Sequence, residues 1–113
     1  MSDVILRLTS LLSSNAGTVG AAAVQISGGP AANWPLTAVS ATFYPNYHRV
    51  TLRIVNTSAA NLYLGSVSTL TTTAGYFKVL APGEFFDDNV SGAVPRWLIG
   101  SQAGQTFTVE EYQ

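Results

Sequence analysis

Apolar and polar residues alternate over most of this chain, and the alternation is broken by short clusters of Gly, Pro, Asn and Ser. Residues 48–56 show it most clearly. Val50, Leu52 and Ile54 fall on one side, and Arg49, Thr51 and Arg53 on the other. Successive side chains of a strand point to opposite faces, so this period of two predicts a half-buried strand. Ala22-Ala23-Val24-Gln25-Ile26 predicts another, stopped by Gly28-Gly29-Pro30. Residues 36–43 alternate and end at Tyr44-Pro45-Asn46. Leu62-Tyr63-Leu64 is closed by Gly65, and residues 76–80 are stopped by the turn dipeptide Pro82-Gly83. Glu84-Phe85-Phe86 begins a further strand, which Asp87-Asp88-Asn89 is expected to leave. Residues 96–100 and 106–110 complete the set, separated by Gln102-Ala103-Gly104-Gln105. Between the strands lie Asx- and Ser/Thr-turn formers at residues 56–61 and an Ala74-Gly75 turn.

Seven or eight short strands thus recur at roughly 8–12-residue spacing, the rhythm of an antiparallel sandwich or barrel. The expected fold class is all-β: one antiparallel, jelly-roll-like β-sandwich. No helical pattern interrupts the strands, which argues against parallel α/β architectures. The first residues differ. Val4, Ile5, Leu8, Leu11 and Leu12 fall at helical spacing, with Ser2 as N-cap and Asp3 in the first turn. A strand with Val4, Leu6 and Leu8 on one side is the alternative; the leucines favour a short helix. Ser13-Ser14-Asn15-Ala16-Gly17 is expected to end the segment. Residues 1–20 then read as an arm or short helix, and residues 21–113 as the sandwich.

Composition narrows the function. Of 113 residues, 47% are apolar and only 10% charged, the net charge is −1, and cysteine is absent. An average soluble domain is about 25% charged, so a surface this poor in charge points to life in an assembly. Without cysteine there is no disulfide scaffold, thiolate metal site or thiol nucleophile. The near-zero charge lacks the electrostatic footprint of a nucleic-acid binder. Arg7 interrupts the apolar opening, no basic stretch precedes it, and no apolar run approaches the ~20 residues of a membrane span. The chain reads as made in the cytosol without an address of its own.

Chemistry-bearing residues are few. His48 is the only histidine, and it has no nucleophile-elbow motif to serve. Glu84, Asp87, Asp88 and Asn89 form the only acidic cluster; its spacing is not that of an EF-hand, so it reads as a turn rather than a calcium loop. Asn56-Thr57-Ser58 and Asn89-Val90-Ser91 match the glycosylation pattern without an accompanying secretion signal. No catalytic, metal or cofactor residue is therefore assigned. Aromatics are the richest functional class. Trp34, Tyr44 and Tyr47 lie in or near Pro-bearing loops, where they suit a subunit contact or a sugar platform. Trp97 and Phe107 are expected in the core. Phe85 and Phe86 are consecutive, so one of them must leave the core of this domain or meet a second layer. The candidate interface residues are Val4, Leu8, Leu11, Trp34, Tyr44, Tyr47, Phe85 and Phe86.

Three pieces of the chain carry a resemblance. The first is Ile54-Val55-Asn56-Thr57-Ser58-Ala59-Ala60-Asn61-Leu62-Tyr63-Leu64-Gly65. The second is Thr71-Thr72-Thr73-Ala74-Gly75-Tyr76-Phe77-Lys78-Val79-Leu80-Ala81-Pro82-Gly83-Glu84, and the third Gly104-Gln105-Thr106-Phe107-Thr108-Val109-Glu110-Glu111. Their order and spacing resemble a recurrent module of small tailed-bacteriophage structural proteins, over residues 48–113. The resemblance implies a β-sandwich component of the virion, made in the bacterial cytoplasm. It implies a capsid decoration or cement protein that binds and stabilises the shell, with a homotrimer and the major capsid protein or another virion protein as partners. The alternative is a head- or tail-attached fibre-base module that binds host glycans. It implies no enzymatic activity and no cofactor.

Overall fold

The computed structural model describes residues 11–27, 51–90 and 94–112. Among them are eight strands: β1 (Leu11–Val19), β2 (Val24–Ser27), β3 (Thr51–Asn56), β4 (Leu62–Gly65), β5 (Tyr76–Leu80), β6 (Phe85–Asp88), β7 (Arg96–Gly100) and β8 (Gln105–Tyr112). They form two four-stranded sheets, ordered β1-β8-β3-β6 and β2-β7-β4-β5. Every pairing is antiparallel. Two such interlocked sheets of eight strands are a jelly roll.

Alternation builds the core. Along β8, Gln105, Phe107, Val109 and Glu111 are buried, while Thr106 is exposed and Thr108, Glu110 and Tyr112 are half-buried. Along β3, Leu52 and Ile54 face inward. These meet Leu62, Leu64, Leu80 and Leu98 of the second sheet, together with Val19, Ile26, Phe107 and Val109. Burying each such side chain is worth ~1.5–3 kcal/mol, the term that holds the two sheets face to face. Trp97 is half-buried and lies outside this cluster, unlike Phe107.

Several expected boundaries move. Ser13 to Gly17, expected to end a segment, lies inside β1, which pairs with β8 from Leu11↔Tyr112 to Val19↔Gln105. The sandwich therefore reaches back at least to Leu11 rather than beginning at residue 21, and β1 is a strand although Ser, Asn and Gly are poor strand formers. Its partner β8 supplies the backbone hydrogen bonds that these residues could not secure locally. Asp87 and Asp88 likewise stay in the sheet, opposite Arg53 and Leu52. Of the arm or short helix expected over residues 1–20, Leu11 and Leu12 lie in β1 rather than in a helix, while residues 1–10, like the strand expected over residues 36–43, fall outside the described residues.

One end of the sandwich is held by buried polar groups. Asn56 is fully buried. Its Nδ2 donates to the carbonyls of Ala60 and Leu80, each at 2.8 Å, and its Oδ1 accepts from the Ser58 amide at 2.9 Å and hydroxyl at 2.7 Å. Buried Gln105 works beside it. Its Nε2 donates to Ser58 Oγ at 3.1 Å and to the carbonyls of Ala60 at 3.1 Å and Asn61 at 3.0 Å. Its Oε1 accepts from the Gln102 amide at 2.9 Å. The 81–84 turn joins the same end: Gly83 N donates to Asn56 O at 2.9 Å, and Asn56 N to Glu84 O at 2.9 Å. Glu84 Oε1 caps this turn by accepting from the Ala81 amide at 2.8 Å. Gly83 has φ +82°, a conformation that side chains other than Gly resist. At the far end of β4, a Cβ on Gly65 would sit 2.5 Å from the Gly75 carbonyl oxygen, so the close approach there admits only Gly.

Candidate functional site

The motif residues Asn56 and Gln105 are thus consumed inside the fold, and exposed Glu84 in capping the 81–84 turn. The chemistry left for a partner lies where β5 and β6 end their respective sheets. Phe86 stands opposite Ile54 and packs against the core, while Phe85 stands opposite Val55 and is 54% exposed. The two consecutive phenylalanines do face opposite ways, as a strand requires. Across the gap between the sheets, Phe77 of β5 meets Phe86 edge-on, with ring centroids 6.3 Å apart, and is itself 50% exposed. Tyr76 turns to the other face of its sheet, edge-on to Tyr63 at 5.1 Å. Exposed Val67, in the loop between β4 and β5, adjoins Gly75. Among the described residues, four of the five large exposed apolar side chains therefore flank this one border; the fifth, Leu11, begins β1 on the opposite border of its sheet.

The charges at this border are spent on the domain itself. Arg53 donates to both carboxylate oxygens of Asp87, at 2.7 and 2.9 Å. Its guanidinium also lies 4.3 Å from the Phe85 ring centre and 5.6 Å from that of Tyr112. The hydrogen bond to Asp87 raises the Arg53 pKa above its ordinary value, with burial opposing it. Tyr112 donates to Glu110 Oε1 at 2.9 Å. Its pKa is raised, first by burial and then by this bond, which favours the neutral phenol. Between the sheets, Arg96 of β7 donates through Nε to Asp88 Oδ2 while its guanidinium lies 5.2 Å from the Phe77 ring centre. Lys78 lies 5.6 Å from the ring centre of Phe86. A cation over an aromatic face gains ~0.5–1 kcal/mol at exposed sites, so these rings are held in place rather than loose.

The acidic cluster is accounted for in the same way. Asp87 is held by Arg53, Asp88 by Arg96, and Asn89 Oδ1 accepts from Thr51 at 2.9 Å. Their oxygens serve as cross-strand and inter-sheet ties. No group of three or more metal-ligating side chains occurs among the described residues. Of the sequence-predicted interface residues, Leu11 and Phe85 are exposed and Phe86 supports the core. Val4, Leu8, Trp34, Tyr44 and Tyr47 lie outside the described residues, as does His48. Tyr76 and Phe77 escaped the sequence reading, although a signal was available. They are consecutive aromatics, and the argument applied to Phe85-Phe86 applies equally to them. Comparison with models of known protein families, with curated proteins and with solved structures returns no match.

Proposed function

We propose that this chain is a structural subunit of a tailed-bacteriophage virion, a decoration or cement protein that binds the capsid shell and its own copies. One observation carries the reading: Val67, Tyr76, Phe77 and Phe85 stand exposed along one border of a domain that is only 10% charged. Exposed apolar groups gathered in one place mark a protein contact. Jelly rolls recur in capsid and lectin domains, but a fold by itself does not assign a function. The resemblance over residues 48–113 adds the virion to the reading, and its motif residues Asn56, Glu84 and Gln105 make hydrogen bonds that hold the turns of the domain.

The test is direct. Particles banded by density from a lysate of the producing host are probed for the chain, and purified protein is offered back to particles lacking it. Stoichiometric presence and saturable rebinding to the shell are expected. Absence from particles ends the virion reading. Binding to host polysaccharide without binding to shells replaces it with the glycan-binding alternative.

A further inference from the structure

The apolar pattern of β3 and β8 fits more than one pairing. In the observed register Leu52, Ile54 and Asn56 lie opposite Glu111, Val109 and Phe107. A slip of one residue would turn every inward side chain outward, and the core excludes it. A slip of two keeps the faces. In one direction it sets Ile54 beside buried Glu111 and Asn56 beside Val109, a mismatch at both positions. In the other it sets Leu52 beside Val109, Ile54 beside Phe107 and Asn56 beside Gln105, like against like along the inner face. Hydrophobic matching alone would choose this second register over the observed one. On the outer face the observed register sets Arg53 opposite Glu110, a half-buried pair of small weight.

What opposes the slip lies at the buried polar end. Gln105 of β8 donates to Ser58, Ala60 and Asn61 in the loop that leaves β3. Asn56 donates to the Leu80 carbonyl of the other sheet. Thr57 donates through its amide to the Thr106 carbonyl at 3.3 Å and through its hydroxyl to that of Thr106 at 2.9 Å. Two residues of strand span ~7 Å, about twice the reach of a hydrogen bond. The slip would therefore part Gln105 from all three partners at once and leave buried donors and acceptors unpaired, the costly condition for a polar group. We propose that Asn56, Ser58 and Gln105 form a register lock, which selects the observed pairing of β3 with β8. Fixing register is the best-attested use of buried polar groups. The lock also acts at a distance. Strand β6 rides on β3, from Leu52↔Asp88 to Val55↔Phe85, so the register sets where Phe86 meets Phe77 and Asp88 meets Arg96. The lock is a property of the single chain, independent of the virion reading.

The chain has no cysteine, so introduced disulfides report the register directly. Val55→Cys with Thr108→Cys joins partners of the observed register. Val55→Cys with Thr106→Cys joins partners of the slipped one. In the observed register these two stand diagonally, ~7–8 Å apart, beyond the usual span of a disulfide. Val55 and Thr108 are half-buried and Thr106 is exposed, so the core is left intact. Each pair is oxidised in the otherwise unchanged full-length chain and in one that also carries Asn56→Leu and Gln105→Leu. The share of the slipped disulfide is expected to rise about tenfold in the second chain, the change that ~1.4 kcal/mol between two registers produces. If only the observed pair closes in both chains, the lock is refuted. Asp88→Asn, which weakens the inter-sheet tie at the border, should leave the register unchanged; a slip there as large as in the Leu variant also refutes it. Where the Leu variant lacks β circular dichroism, Ser58→Ala decides, since it removes the hydroxyl between Asn56 and Gln105. A smaller rise of the slipped pair in that chain supports the lock, and no rise overturns it.

Discussion

The two ends of this sandwich treat side chains in opposite ways. At the end built by Asn56, Ser58 and Gln105, polar groups lie buried or half-buried and find partners within the fold. Along the β5–β6 border, Phe77 and Phe85 are exposed and a guanidinium is laid across each ring. The first arrangement stabilises the folded chain, because a buried polar group left unpaired costs ~1–3 kcal/mol. The second contributes little to the single domain, since half-exposed rings bury little area. The contrast separates what keeps the chain folded from what it offers to others.

That contrast can be broken from either side, beginning where the largest effect is expected. Gln105→Leu keeps the volume but strands the Asn61 carbonyl and the Gln102 amide, so a loss of about 3 kcal/mol is expected in urea unfolding. A loss under half of that would mean that water replaces the network. Asp88→Asn should cost about 2 kcal/mol, below the ~3–5 of a fully buried pair because both side chains keep some exposure. Double-variant cycles with Arg96→Met isolate this coupling. Gly83→Ala should cost about 1 kcal/mol through its positive φ, with nothing nearby for the methyl to strike. Phe85→Ser should cost less than about 1 kcal/mol, the stacked Arg53 being the main loss. If it cost as much as Gln105→Leu, the border would belong to the fold and the comparison would fail.

The smallest effect is on pH dependence. Tyr112 has a raised pKa in the folded chain, so folding favours its neutral form. Its contribution to stability is therefore whole below the ordinary tyrosine pKa of about 10. It is lost as pH rises beyond that value through the folded one. Unfolding followed from pH 9 to 11.5 should show a decline that Tyr112→Phe flattens. An equal decline in both chains assigns it to other groups.

How much of this was legible beforehand can be judged residue by residue. Residues 76–80 and 96–100 are strands with the expected limits, because alternation and turn formers act within a few neighbours. Asn56 was readable as a turn former, and its loop bond to the Ser58 amide is of that kind. Its bond to the Leu80 carbonyl, 24 residues away, was not. Gln105 looked like one residue of a separating loop, yet it ties that loop to the 56–61 loop more than forty residues away. Asp87 and Asp88 looked like the end of a sheet, since acidic residues disfavour strands; Arg53 and Arg96 supply what keeps them there.

By itself, then, the amino-acid order determined an all-β chain, most of its turn positions, the inward Leu52 and Ile54 of β3 and Phe107 of β8, and a surplus of apolar groups for a surface with little charge. These are local matters of side-chain period, backbone sterics and composition. Only the tertiary structure decided that β1, from Leu11, belongs to the sandwich, that β5 and β6 stand last in their sheets among the described strands, and that Tyr76, Phe77 and Phe85 lie along one border. Those outcomes depend on pairing between distant segments, such as β1 with β8, and no local preference encodes which strand will stand last in its sheet.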